Sequence, residues 1–528
     1  MLDLLIRGGR VVDGTGRPAF RADVAIEGGR IRAVGLLPQA EARRVIDATG
    51  RVVAPGFLDL HSHSELALLA DPFNPPKLEQ GFTFELLGQD GLSVAPLTPA
   101  ATAATRQALA GLAGDPPGID WSWRSVDDFL GRLDGLGLSA GYLVPHAQLR
   151  RLAMGDDDRA PTPDELREMR RLLREGLEQG AFGLSTGLVY PPNCFAAAEE
   201  LAALGEEVAA AGGIFAVHLR SEGAGIEAAL DEMLEVARRS GCRLHVSHLK
   251  LAGAPSFGKL DWLIARLEGA RAEGLEVTCD QYPYAAGSTV MTALVPTWAL
   301  AGGPAALRRR LEDPSDRARI HAEMAARGEG PAGGFDEVVV SDLQGARPER
   351  AALVGKRLTE IAALMGVDPA TAVIDLLRET RLAASIIIHN QADQVVRALL
   401  PLPFRSVGSD GLLFGSPHPR AYGTAPRILG RYVREERRLT LEEAVHSLTG
   451  RAADHIGLAD RGRVLPGLRA DLVVFDPDTI IDRATYERPT ERPIGIDHVV
   501  VGGAVVVEQG RVVRSAARRG EACRARRR

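Results

Sequence analysis

The sequence predicts an α/β protein built as a (β/α)8 barrel, with a small β-sandwich formed from both ends of the chain. Two observations predict it. Short β-rich runs with paired glycines fill the first 50 residues and return only near the other end, while the middle alternates helix and strand patterns. Histidines and an aspartate also stand at the ends of several of those middle strands, where a parallel α/β barrel gathers its active site. The expected division is 1–55 and 456–528 for the sandwich and 56–455 for the barrel.

The hairpin runs are LLIRGGRVVDG, VAIEGGRIRAVG and RVIDATG at the start, then ADLVVFDP (470–477) and HVVVGGAVVVEQGRVV (498–513). Strands left unpaired at either end would be liabilities, so one discontinuous domain is the simplest account. In the middle, Thr162 and Glu165 have capping-box spacing, Pro163 opens a helix, and Leu166, Met169, Leu173 and Leu177 form its apolar stripe before Gly180. Strand AFGLST follows, then helices over about 197–211, 226–239 and 259–273 alternating with strands IFAVHL, RLHVSHL and LEVTCDQY. Such units need right-handed parallel crossovers, in an open doubly wound sheet or a closed barrel. No GxGxxG or GxxxxGK[ST] follows the first strand, which favours the barrel. A helix over 440–455, capped by Thr440 with Glu443, is expected to bridge barrel and sandwich.

Composition narrows the function. The 528 residues are 45% hydrophobic and 25% charged, with 63 basic against 69 acidic residues and a formal charge of −6. That balance excludes bulk-charge binding to nucleic acid or an anionic membrane and points to a small-molecule partner. Cys194, Cys242, Cys279 and Cys523 form no CxxC pair, so neither a disulfide framework nor a thiolate zinc site is implied. With no signal-peptide pattern and no run of 18 apolar residues, a soluble cytoplasmic protein is expected. The arginine-rich last 15 residues read as a solvated, frayed tail.

GFLDLHSHSE (56–65) sets Asp59, His61 and His63 at period two, so that two imidazoles can close on one metal and Asp59 can orient one of them. His218 and His248 end two later strands; His245 has opposite parity to His248 and should face the covering helices. His146, His321, His446 and His455 have no partner nearby in sequence and read as structural. In FRSVGSDG, Asp410 ends another strand and fits the base or last ligand of a hydrolytic site.

This ordered set resembles the amidohydrolase superfamily, and DRGRVLPGLRADLVVFDP (460–477) resembles that family's return to its small β domain. Within it the chain is most similar to the D-aminoacylases, or N-acyl-D-amino-acid deacylases. GAFGLSTGLVYPP (180–192), HLRSEG (218–223), SHLK (247–250), DQYPYAAGST (280–289), HPRAYGTAPRILGRY (418–432) and ERPIGIDHVVVGGAVVVEQGR (491–511) carry the resemblance. It implies a metal-dependent hydrolase with one or two divalent ions, zinc foremost, on His61, His63, Asp90, His218, His248 and Asp410. Asp90, in LLGQDGLSVAP, replaces the cysteine ligand common in that family and makes the site harder in character. The resemblance further implies that Asp410 is the general base for a metal-activated water, and that Lys250, Tyr282 and Arg420 hold the carboxylate of an N-acyl amino acid. Lys250, two residues after His248, has the parity to reach the pocket, and Arg420 is expected in the loop after Asp410.

Three readings compete: a deacylase of N-acyl-D-amino acids, a related amidase or cyclic-amide hydrolase, and a non-catalytic scaffold. A scaffold has no reason to keep His61, His63, His218, His248 and Asp410 together. Cyclic-amide hydrolases often use a carboxylated lysine on the fourth strand, and GLSTGLVY has none.

Overall fold

The computed structural model describes residues 1–326 and 334–525. Its parallel strands are β1 (Phe57–Asp59), β2 (Phe82–Leu87), β3 (Ser139–Tyr142, continued by Val144–Pro145), β4 (Gly183–Gly187), β5 (Ile214–His218), β6 (Arg243–Val246), β7 (Val277–Gln281) and β8 (Arg405–Val407). Each pairs in parallel with the next in chain order. The ring closes where the Leu60 N–H donates to the Val407 carbonyl at 3.0 Å and Ser62 bridges Gly411. This is the closed (β/α)8 barrel rather than the open sheet.

The helix that Thr162 caps runs Pro163–Glu178 with both capping-box bonds, and the next three are Ala198–Ala210, Ile226–Ser240 and Leu260–Ala272. Leu58, Leu60, Phe84, Leu86, Phe182, Ile214 and Ala216 fill one buried cluster together with Ala452, Ala453 and Ile456. The expected single helix over 440–455 is broken: Leu441–Leu448 and Gly450–Ile456 meet at Thr449, whose φ of −138° and ψ of −90° turn the second piece into that cluster as a plug.

Both chain ends contribute to one nine-stranded sheet, in which Val52–Pro55 pairs antiparallel with Leu472–Phe475. Leu4, Ile6, Val24, Leu472, Val474 and Val500 form the sheet's own core, while Val52, Val473, Phe475 and Val499 join the main cluster with the barrel's helices. Between β7 and β8 lies an insertion that the sequence did not announce. It holds a three-stranded antiparallel sheet (Gly287–Val290, Val338–Leu343, Ala384–Ile388) over a separate core including Met291, Leu307, Val338 and Ile386.

The basic tail is docked as far as it is described, not frayed. The Ala140 N–H donates to Glu521 O, the Cys523 N–H to Ala140 O at 2.7 Å and the Ala525 N–H to Gly180 O, and Cys523 is buried in the cluster beneath the barrel. The adjacent buried Ala522 and Cys523 supply apolar contact that a count of arginines hides; residues 526–528 lie outside the described part. Among the described residues no helix is long and apolar enough to cross a membrane.

Candidate metal centre

At the C-terminal ends of the strands, ligand atoms of His61, His63, Asp90 and Asp410 lie close enough to share one ion, and those of Asp90, His218 and His248 close enough to share another. Asp90 belongs to both groups. The His61 Nε2 is 3.6 Å from Asp90 Oδ1 and 3.8 Å from Asp410 Oδ1, and the His63 Nε2 is 3.6 Å from Asp90 Oδ2 and 3.4 Å from Asp410 Oδ1. On the other side, Asp90 stands 3.7 Å from His218 Nδ1 and 3.5 Å from His248 Nε2. Ligands about 2.1 Å from a tetrahedral zinc stand about 3.4 Å apart, so these separations suit a divalent ion. Buried His61 Nε2, His218 Nδ1 and Asp90 Oδ1 make no hydrogen bond, which leaves lone pairs facing the same points. The charge also fits. Burial opposes protonation of His63, yet its contacts with Asp410 and Asp90 outweigh that and push its pKa up to about 9. His61 is raised well above the usual range by the same contest of burial against Asp90, Asp280 and Asp410. The carboxylate excess that protonates these rings is what a cation would neutralise.

The backbone builds this site from tight turns. Asp90 sits in the left-handed region (φ +56°) between Gly88 (φ +81°) and Gly91 (φ +66°). A Cβ on Gly88 would come within 2.1 Å of Leu143 O, so the glycine-bounded turn is a steric requirement. The Gly91 N–H donates to Ser185 Oγ and fixes the turn against β4.

Asp59 does not orient an imidazole. Its Oδ1 accepts the His61 and Ser409 N–H groups (3.2 and 2.7 Å), and its Oδ2 accepts Lys77 Nζ and Ser409 Oγ (2.5 and 2.6 Å). With the Asp410 N–H donating to His61 O at 2.8 Å, this ties the segments that carry His61 and Asp410. The imidazoles are oriented by two carboxylates that the sequence reading missed. Asp280 Oδ2 is 3.4 Å from His61 Nδ1, and Glu222 Oε1 is 3.0 Å from His248 Nδ1. Burial alone would raise both carboxyls, but the histidines, and for Glu222 first of all Lys250, hold them well below the usual range. Asp280 follows the same strand-end grammar as the histidines, and Glu222 lies one helical turn's spacing after His218, so both left a signal.

His245 faces the barrel interior, contrary to its parity. It bonds Thr278 Oγ1 (2.8 Å) and Asp280 Oδ2 (3.0 Å) and packs against His455 of the plug. His248, at φ +36°, breaks the alternation that the parity argument assumed.

A cavity opens above the ligands, lined by His63, Asp90, His218, His248 and Asp410 and also by the three residues proposed for substrate. Lys250 Nζ and Arg420 Cζ lie 5.7 and 4.5 Å from the centre of the Tyr282 ring. Arg420 is the first residue of helix Arg420–Arg427 rather than a loop residue, and is fully buried. Its Nη1 stands 2.9 Å from Asp410 Oδ2, but neither Nη1 nor Nε makes a hydrogen bond. Burial raises the Asp410 carboxyl, and Arg420 followed by the histidines overcomes this and holds it far below its usual value.

The model of the amidohydrolase family matches residues 44–507. The chain belongs to this family. It is 40% identical to the N-acyl-D-glutamate deacylase of Alcaligenes xylosoxydans xylosoxydans, over 96% of this chain and 94% of that one. The same organism's D-aminoacylase is 36% identical over 96% and 95%. Among solved structures, the N-acyl-D-glutamate deacylase of Bordetella bronchiseptica, complexed with zinc and a phosphonate mimic of the tetrahedral intermediate, superposes with a TM-score of 0.85. That pair is 36% identical, covering 99% of this chain and 100% of that one. An amidohydrolase of this kind acts on carbon–nitrogen bonds other than peptide bonds.

Proposed function

We propose that this amidohydrolase removes the acyl group from N-acyl-D-amino acids with the aid of zinc. The observation that carries the reading is the convergence of two ligand groups sharing Asp90 with a buried arginine fork beside Asp410. His61, His63, Asp90 and Asp410 would hold one ion and Asp90, His218 and His248 a second. Zinc bound there supplies Lewis acidity, polarising the amide carbonyl and making water a stronger acid.

The remaining steps belong to side chains. Asp410 takes the proton of the attacking water and passes it to the departing nitrogen. The Nε of Arg420, without a hydrogen bond, and Nη1, ion-paired with Asp410, receive the substrate's α-carboxylate beside the Tyr282 hydroxyl, which Gln391 Nε2 already orients at 2.8 Å, while Lys250 at the same cavity is held by Glu222. As the substrate carboxylate draws on the guanidinium, its hold on Asp410 weakens and the base strengthens where it is needed.

The cyclic-amide reading lacks support, because β4 (GLSTG) carries no lysine and buried Lys77 is engaged by Asp59 and Glu85. The same proposal places a catalytic barrel over 56–455 on a β unit of 1–55 and 456–528, acting in the cytoplasm, where the four free cysteines suit a reducing environment. Metal analysis of the purified protein followed by a panel of N-acetyl-D- and N-acetyl-L-amino acids tests the reading. One to two zinc ions per chain and hydrolysis of D substrates are expected; full activity after metal removal, or turnover of L substrates alone, would refute it.

A further inference from the structure

Resting on the deacylase reading, we propose that the amino acid released here carries an uncharged, apolar side chain, and that N-acyl derivatives of D-glutamate and D-aspartate are poor substrates. The 40% identity to a deacylase named for D-glutamate makes the opposite assignment the natural one. The charges of the cavity argue against it.

A substrate with two carboxylates needs two cationic partners in a buried site. The cationic side chains lining the cavity, among the described residues, are Arg220, Lys250 and Arg420. Arg220 is committed. Its Nε and Nη2 grip both oxygens of Glu232 (3.0 and 2.9 Å), while Nη1 and Nη2 donate to Cys194 O and Ala196 O (2.9 and 2.8 Å). Lys250 is spent on Glu222 Oε1 at 2.5 Å. Arg420 keeps its Nε without a hydrogen bond, with Nη1 facing Asp410 Oδ2 at 2.9 Å and Nη2 donating to Ser288 O at 3.1 Å, so it can serve one substrate carboxylate and not two.

The rest of the lining has no charge to offer. Leu112, Val189, Ala293 and Ile388 come from four separate segments, and Tyr190 closes the wall by bonding Thr289 Oγ1 at 2.7 Å. Asn390 and Gln391 are neutral, and Gln391 is occupied by Tyr282. Of the acids on the same cavity, Asp90 and Asp410 belong to the ligand groups and Glu222 is paired with Lys250, so none leaves a cation over for a second substrate carboxylate.

The test compares kcat/KM of the zinc-loaded full chain on N-acetyl-D-leucine, -methionine, -glutamine and -glutamate. Glutamine and glutamate have nearly the same shape and differ in charge. Leucine and methionine derivatives should lead, with glutamate at least about 100-fold below them and clearly below glutamine, because the loss is that of an unpaired buried charge. Glutamate within tenfold of leucine would overturn the inference and leave the deacylase reading standing. Silence toward every D derivative would remove that reading and this inference with it. A second variant locates the side-chain pocket: Val189→Arg, at a half-buried position on the cavity wall, should shift the glutamate-to-leucine ratio toward glutamate by tenfold or more. An unchanged ratio would overturn the assignment of this wall to the side chain.

Discussion

Asp410 and Arg420 touch, yet their substitutions should fail differently. Asp410→Asn keeps the shape and removes the base, so kcat and kcat/KM should fall together by about 10² to 10⁴. Arg420→Lys keeps the charge and loses the fork, so KM should rise while neutral amides lacking a carboxylate are hydrolysed as before; equal loss on both would show that Arg420 serves the ligands instead. Proton linkage supplies a further test at His63. Its folded pKa of about 9 exceeds the unfolded 6.5, so in metal-free protein its contribution to stability is full below about pH 6.5 and lost as pH rises through 9. Metal-free protein should therefore lose Tm between pH 6.5 and 9 more steeply than zinc-loaded protein, whose ion replaces the proton; parallel melting curves would refute this. At this scale the four histidines proposed as ligands and Asp410 drew attention because each stands at or just past a strand end, whereas Asp90 rested on resemblance alone. Glu222 and Asp280 carried a positional signal, four residues after His218 and at a strand end, but which ring each carboxylate faces is set by contacts between strands that local spacing does not show.

Between elements, the centre depends on a buried salt-bridge knot. Lys77 is fully buried, with Asp59 Oδ2 at 2.5 Å, Glu85 Oε1 at 3.0 Å and Ser409 Oγ at 2.7 Å. Through Asp59 it fixes the end of β1 against the end of β8, which is where the barrel closes and where His61 meets Asp410. Lys77→Met leaves two carboxylates without their cation and should cost about 3–5 kcal/mol in chemical denaturation, with zinc content reduced in whatever folds. A variant with unchanged midpoint and full zinc would show that the knot is incidental. Element patterns were legible where capping and periodicity agreed, as in Pro163–Glu178. They failed at Thr449, where packing into the barrel floor overrides a continuous helical pattern, and in the Gly287–Ile388 insertion, whose short strands have no glycine-paired hairpin to announce them.

Across the whole molecule, the terminal sheet keeps a core of its own but joins the barrel's core through Val52, Val473, Phe475 and Val499, while the insertion between β7 and β8 has a separate one. Val52–Pro55 passes within one residue into β1, and its antiparallel partner Leu472–Phe475 returns from the plug helix beneath the barrel. The strand carrying His61 and His63 is therefore anchored at its start by pairing between the two ends of the chain. Deleting residues 1–47 removes Leu2–Val11, the parallel partner of Val52–Pro55, together with Ala42–Asp47, exposes Leu472, Val474 and Val500, and leaves Val52–Pro55 as a bare sheet edge. Because Val52 and Phe475 pack in the same cluster as the barrel's helices, the damage should spread to the metal centre instead of stopping at the sheet. The shortened chain should accumulate as aggregate or bind little zinc, and the intact protein should melt with sheet and barrel in one calorimetric transition. A soluble deletion variant with full zinc and unaltered kcat/KM would show that the terminal sheet is an independent appendage, and that the barrel alone holds its ligands in place.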